Sequence, residues 1–155
     1  MPDTAKPRPA LTPDDMIIRP FAMGDRPAVV TLWHECELIR PWNDPHRDIA
    51  RKLTEQADGF LVGTIADVVM ASMMVGYDGH RGWVYYLAVS PAWRLQGIGR
   101  RLMDHAETML IARGCAKINL MVRSSNAKVL AFYESLGYQR DEAVALGKRL
   151  IPDQG

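Results

Sequence analysis

Residues Arg94 to Gly99 read Arg-Leu-Gln-Gly-Ile-Gly, between an apolar run from Val84 to Val89 and an amphipathic run from Ile98 to Arg113. A strand that passes through a glycine turn into a helix leaves a helix N-terminus bare of side chains. Its backbone N–H groups are then free to hold an anion. Gly97 and Gly99 allow the backbone to approach closely, and Arg94, Arg100 and Arg101 add positive charge. The chemistry this pattern suits is the holding of a phosphate-bearing ligand. The donors would be the amides of Gln96, Gly97, Ile98, Gly99 and Arg100, with the Arg94 and Arg100 side chains nearby.

Two common phosphate-binding motifs do not fit. A P-loop needs a wider glycine spacing followed by Lys-Ser/Thr, which this turn lacks. A dinucleotide fingerprint needs a third glycine where Leu102 stands, and no acidic residue ends the next apolar run at 117–123. A second segment carries further information: Asn126-Ala-Lys-Val-Leu-Ala-Phe-Tyr133-Glu-Ser-Leu-Gly137-Tyr138. Val129, Leu130, Tyr133 and Leu136 recur with helical spacing, Asn126 suits an N-cap and Gly137 a left-handed terminator. Asn126 and Tyr133 then lie on one face two turns apart. A core helix with a buried tyrosine explains the same pattern.

Together the two segments resemble the cofactor motifs of the GNAT superfamily of N-acetyltransferases. The stretches Leu38-Ile-Arg-Pro-Trp-Asn-Asp-Pro45, Gly76-Tyr-Asp-Gly-His-Arg-Gly82, Ile111-Ala-Arg-Gly-Cys115 and Leu146-Gly-Lys-Arg-Leu-Ile151 are similar to the YpeA branch of bacterial acetyltransferases. The resemblance implies acetyl-CoA as cofactor, its pyrophosphate on the turn from Arg94 to Arg100. It further implies that Asn126 contacts the pantetheine arm and that the Tyr133 hydroxyl lies near the CoA sulfur, where it could return a proton to the thiolate. The exposed backbone of Leu87, Ala88 and Val89 would pair with the pantetheine amides like an added strand, and the Val89 N–H would polarise the acetyl carbonyl.

The elements that position these residues can be read along the chain. Met16 to Arg19 predicts a short strand. Asp25 opens a helix with a Val29, Leu32, Trp33, Cys36 stripe that Pro41 stops. Asp44-Pro45 opens a second helix as N-cap and N1 proline. Strands follow at Phe60–Ile65, Val68–Val75 and Trp83–Val89, with a tight turn at Ala66-Asp67. Then come the glycine-turn helix to Gly114, a strand at Lys117–Val122, the Asn126 helix, and terminal strands from Tyr138 onward and at Val144–Ile151. This order matches the GNAT acetyltransferase fold over residues 16–151. That fold is α/β, a mixed central sheet with a splayed V-shaped cofactor cleft and helices on both faces. Residues 1–14, with Pro2, Pro7, Pro9 and Pro13, read as a flexible lead-in to a single domain over 15–155.

Composition narrows the functional classes. The chain has 155 residues, 48% of them hydrophobic, and a net charge of +1. That charge gives no electrostatic basis for nucleic-acid binding. No apolar run reaches the length of a membrane span, and no secretory leader is evident. Cys36 and Cys115 suit free thiols in a reducing cytoplasm. His34, His46, His80 and His105 show no ligand spacing, so no metal site is expected.

Acetyl transfer to an amine needs a neutral nucleophile, stabilisation of the carbonyl oxyanion and a proton for the thiolate. Many family members carry a glutamate mid-strand where this chain has Tyr85. The ribosomal-protein alanine acetyltransferases, whose Val-Arg-x-Ser-Asn motif matches 122–126, carry one where it has Met121. Asp78 and His80 are substitute candidates for the base, unless their loop is a solvated turn. Glu35 and Glu37 read as surface residues. Arg40, Trp42, Asn43 and Asp44, with Tyr85, are candidates for the acceptor pocket, and Trp42 could equally be core. The function expected is acetyl transfer from acetyl-CoA to a primary amine on a small molecule or protein N-terminus, by a monomer or homodimer. An acyl-CoA sensor that has lost catalysis, or an α/β domain binding another phosphate ligand, is the alternative.

Overall fold

The computed structural model describes residues 10–154. Most of the expected lead-in over 1–14 lies outside the described residues. Its last part turns through Pro13–Asp15. There Arg101 donates to the Pro13 carbonyl at 3.0 Å and the Met16 carbonyl at 2.8 Å.

Five strands form one mixed sheet in the order β1 (Ile17–Pro20), β2 (Phe60–Ile65), β3 (Val68–Tyr77), β4 (Gly82–Val89) and β5 (Ile118–Asn119). Neighbours are antiparallel except β4 and β5, which run parallel. Ala66 and Asp67 both take left-handed φ, +49° and +62°, and so make the tight turn between β2 and β3. Every residue of β2 is buried, because helices cover both faces of the sheet. Helices α1 (Arg26–Glu35) and α2 (Pro45–Thr54) bury Val29, Trp33 and Ile49 against Phe60, Val62 and Met74. On the other face α3 (Ile98–Ala112) and α4 (Ala127–Ser135) bury Ile98, Leu102, Ala106 and Tyr133 against Leu61, Met73 and Val84.

Local causes match the sequence at most helix ends. Asp44 accepts the His46 and Arg47 N–H groups with Pro45 in the first turn of α2. Asn126 accepts the Val129 N–H at the start of α4. Two ends differ. Asp25 does not cap α1; its carboxylate takes a two-pronged ion pair from Arg19 at 2.7 and 2.9 Å. That charge-assisted pair outcompetes a cap bond. And α1 stops well before Pro41, because Glu37 turns left-handed (φ +57°) and the Leu38 N–H closes on the Trp33 carbonyl at 2.9 Å. On α4 the inward stripe is Val129, Phe132, Tyr133 and Leu136, with Phe132 in the place expected for Leu130.

The expected strands after α4 do not form, and β5 is shorter than expected. Ile118, Leu120 and Val122 still turn to the core while Met121 is exposed, so the segment stays extended without a ladder. Past β5 a further strand would have two residues to pair with. Val144, Leu146 and Leu150 are accordingly exposed.

The segment 149–154 is instead held by polar contacts. The Asp153 side chain, 1% exposed, meets Arg51 at 2.5 Å and Arg149 at 3.9 Å and accepts the Asp44 N–H at 2.8 Å. Arg149 also donates to the Asn43 side chain, and Gln154 to the Pro41 carbonyl. Arg51 first, then the Asp44 amide, holds the Asp153 carboxyl down to about 2, against about 3.9 for a free aspartate. A carboxyl depressed on folding stabilises fully above its unfolded value, and that contribution fades as pH falls through the folded one. Asp153→Asn is therefore expected to lower Tm at neutral pH, and the gap to the parent protein should close as pH falls toward 2. A gap that persists unchanged to that pH would contradict the assignment.

Candidate active site

The site begins where β4 leaves its neighbour. β4 and β5 pair at Gly82 with Ile118 and at Trp83 with Asn119, and no further. Past Trp83 that edge of β4 has no strand beside it, which opens a V-shaped gap. A bulge accompanies the divergence. Tyr85 stands opposite Met74 and Ala88 opposite Ser72, so Tyr86 and Leu87 share the place across from Met73. Tyr86 takes φ +52°. The extra residue bends the strand and resets its alternation: Tyr86 and Ala88 pack toward α1 and α2, Leu87 and Val89 toward α3 and α4. The Ser90 N–H pairs with the Met70 carbonyl at 2.8 Å, so antiparallel alternation aims the Val89 peptide groups away from β3. The Val89 carbonyl accepts a hydrogen bond from the Cys36 thiol at 3.3 Å.

The glycine turn joins this strand to α3. Leu95 (φ +62°) and Gly97 (φ +80°) are both left-handed. Gly97 ends the turn as the α3 N-cap, with no side chain capping it. The amides from Leu95 to Arg100 have no backbone acceptor among the described residues. Arg94 and Arg100 are exposed beside them, while the Arg101 side chain donates to the Pro13 and Met16 carbonyls. The two glycines differ in what they do. A side chain at Gly97 would find open space but a backbone φ it rarely adopts; one at Gly99 would meet the Phe132 ring at 2.9 Å. Gly99 is thus where α3 and α4 pack closely.

Tyr133 is buried on α4, with the edges of Phe132 and Tyr138 at centroid distances of 5.0 and 5.7 Å. Its hydroxyl bonds to no described residue, and burial pushes the phenol up to about 12. The Tyr138 hydroxyl is buried without a partner among the described residues. Asn126 is exposed, its carbonyl oxygen engaged as the α4 cap.

The α1–α2 connection crosses toward the loop after β5. Trp42 is not core: it is 51% exposed, and the Arg123 guanidinium lies over its ring at 5.8 Å. Arg40 and Asn43 are half-buried in the same connection, joined by an Asn43 N–H to Arg40 carbonyl bond of 3.0 Å. Tyr85 is exposed on β4, its ring parallel to Trp83 at 6.3 Å, and its phenol is raised by burial and by the Asp78 charge. Neither Asp78 nor His80 hydrogen-bonds to Arg40, Trp42, Asn43 or Tyr85 among the described residues, although the Asp78 charge reaches the Tyr85 phenol. Asp78 and His80 sit in the β3–β4 turn, at the end of β4 that stays paired with β5. The Asp78 carboxylate accepts the Arg81 and His80 N–H groups at 2.7 and 2.8 Å and the Trp83 indole N–H at 3.2 Å. Those donors, Arg81 first, hold it below the usual carboxylate range. A carboxylate so stabilised is a poor base.

Comparison with known proteins fits this geometry. Residues 27–138 match the model of the Acetyltransferase (GNAT) family. An acetyltransferase of Sodalis glossinidius (strain morsitans) is 54% identical over 140 residues, which cover 90% of this chain and 99% of that one. The chain belongs to the GNAT acetyltransferase family. A Pectobacterium atrosepticum acetyltransferase is 51% identical over 139 residues, covering 90% and 99% of the two chains. The crystal structure of "a possible acetyltransferase" from Clostridium difficile 630 shares the fold at a TM-score of 0.72 and 21% identity, with 88% of this chain and 98% of that one aligned.

Membership makes this GNAT protein an N-acetyltransferase, and the candidate site is arranged around the bulged, splayed β4. Sequence reasoning missed several residues on the α1 and α2 side of that strand. The Tyr86 phenol donates to Asp48 at 2.6 Å, and Asp48 accepts from Arg51 at 3.1 Å. The adjacent pair Tyr85-Tyr86 was a usable signal, since two large side chains in succession break the in-out alternation of a strand. The reach of Asp153 to Arg51 had no local signature.

Proposed function

We propose that this GNAT protein moves an acetyl group from acetyl-CoA to a primary amine by direct transfer. The observation that carries the reading is the row of amides from Leu95 to Arg100 that have no backbone acceptor among the described residues, continuous with the edge of β4 that no described strand pairs. Such a row suits a pyrophosphate, and the unpaired edge suits the amides of a pantetheine arm. Asn126 and Tyr133 line the same arm from α4, with Tyr133 toward the sulfur. Arg40, Trp42, Asn43 and Tyr85 would border the acceptor. The free thiols of Cys36 and Cys115 support work in a reducing compartment such as the cytoplasm.

With Tyr85 and Met121 at the usual base positions, and Asp78 engaged in its turn, the acceptor has to arrive largely neutral. A lysine amine near 10.4 is neutral in about 4 molecules in 10,000 at pH 7, an α-amine near 7.7–8.0 in roughly one in ten. An α-amine or another weakly basic amine is the acceptor class that fits. The test is CoA release across an amine panel, with thermal shift by acetyl-CoA, CoA and ATP alongside. Turnover should favour α-amines, with log(kcat/KM) levelling off near the acceptor's own pKa. Stabilisation by ATP alone, or strong lysine acetylation with weak α-amine activity, would overturn the reading. Tight acetyl-CoA binding with no turnover would point to a sensor.

A further inference from the structure

We propose that Tyr86, Asp48, Arg51 and Asp153 form a positioning chain that fixes the bulge of β4 and so aims the Leu87–Val89 backbone for acetyl transfer. The inference rests on the function proposed above and adds residues outside the motifs that carry it.

Tyr86 is a bulky residue at φ +52°, a conformation that persists where the surroundings over-determine it. Three contacts do so. Its ring stacks on Trp33 at 3.8 Å with the planes 15° apart. Its carbonyl accepts from Ser72 Oγ at 2.9 Å, and Ser72 Oγ in turn accepts from the Trp33 indole N–H at 2.9 Å. Its phenol donates to Asp48 Oδ2 at 2.6 Å. The first two contacts lie within the core beside the strand. The third leaves it, and its far end is where the chain of contacts begins.

Asp48 could not hold the phenol in place if its own carboxylate were loose. Its other oxygen accepts from Arg51 Nη1 at 3.1 Å. Arg51 Nη2 meets Asp153 Oδ1 at 2.5 Å, and Asp153 Oδ2 accepts the Asp44 N–H at 2.8 Å. Hydroxyl, carboxylate, guanidinium, carboxylate and amide follow one another, each group donating to or accepting from the next. Such a chain rigidifies when complete and loosens when any member is lost. Both Asp48 oxygens are engaged within it, so Asp48 acts by holding Tyr86 and is not placed as the base. Burial and the Asp48 bond raise the Tyr86 phenol, which keeps it a donor at any working pH.

The bulge decides which way the following peptide groups face. Relaxing Tyr86 toward negative φ would rotate the peptides that lead into Leu87, Ala88 and Val89. A displacement on the order of an ångström at a reacting centre costs about 10²-fold in rate.

The test uses the full chain with Tyr86→Phe, Asp48→Asn, Asp153→Asn and the double variant Tyr86→Phe/Asp153→Asn. The amide 1H–15N shifts of Leu87, Ala88 and Val89 are read with Tm and with kcat and KM for acetyl-CoA. Each single variant is expected to move those three amides and to lower kcat by about tenfold to a hundredfold. KM for acetyl-CoA should rise by less than kcat falls, because the glycine turn proposed to take the pyrophosphate is untouched while the β4 edge proposed to take the pantetheine is shifted. The double variant should be no worse than Tyr86→Phe alone, since the members act as one unit. Unmoved Leu87–Val89 amides in Tyr86→Phe, or losses that multiply in the double variant, would overturn the proposal. A loss that tracks Tm and raises KM equally would make the chain a fold support and overturn it too. If the parent protein turns over no acetyl-CoA, the proposed function fails, and the amide shifts still decide whether Asp153 reaches the bulge.

Discussion

The Tyr133→Phe variant is expected to lose about 10²-fold in kcat while its affinity for acetyl-CoA stays within about twofold of the parent. The hydroxyl bonds to no described residue, so removing it leaves the packing against Phe132 and Tyr138 intact. On the function proposed above, what is lost is the donor that would face the leaving sulfur. With the phenol at about 12 and a thiol near 8.5, complete proton transfer to the thiolate is uphill. In the proposed reaction Tyr133 would therefore serve as a hydrogen-bond donor to the charge developing on sulfur, and the proton that finally reaches the thiol would come from the acceptor amine. Any alkaline limb in kcat below about 12 belongs to another group and should persist in the variant. Full kcat in Tyr133→Phe would reduce the residue to packing.

The two glycines of the turn are expected to fail in different ways. Gly97→Ala puts a Cβ at φ +80°, which costs about 1–2 kcal/mol. The turn would escape that cost by rotating its amides away from where the proposed pyrophosphate would sit. Isothermal titration should show acetyl-CoA affinity falling by about tenfold or more, with a fold still intact by circular dichroism. Gly99→Val drives its Cβ into Phe132, 2.9 Å away, and overpacking of that kind costs about 1–3 kcal/mol. Here Tm falls first, and Phe132→Leu in the same background should recover part of it. Unchanged affinity in a folded Gly97→Ala protein would remove the pyrophosphate from this turn.

Where chemistry is local, the sequence discloses it. Arg94 to Gly99 and Asn126 to Gly137 each hold their turn or cap within a dozen or so residues, and these form as expected, although Phe132 replaces Leu130 on the inward face of α4. The Ala66-Asp67 turn and the Asp44-Pro45 helix start are equally self-contained. What stayed hidden depends on partners far along the chain. Asp25 reads as a cap until Arg19 takes it. Val144 to Ile151 has the apolar content of a strand but no neighbour to pair with. Asp78 reads as a candidate base because its residue type is visible while its three donors are not. The Tyr86 network joins residues 48, 51, 86 and 153, and no window along the chain contains them together.

The strand β4 has different owners on its two faces. Leu87 and Val89 belong with α3 and α4, Tyr86 and Ala88 with α1 and α2. Heritable variation can therefore act on one side at a time. If the α1–α2 connection borders the acceptor as proposed, substitutions there would trade one acceptor for another while the donor side, encoded in a separate stretch, is left as it was. The bulge is the backbone both sides share, and a lineage that changes its acceptor repeatedly would be expected to alter this strand last.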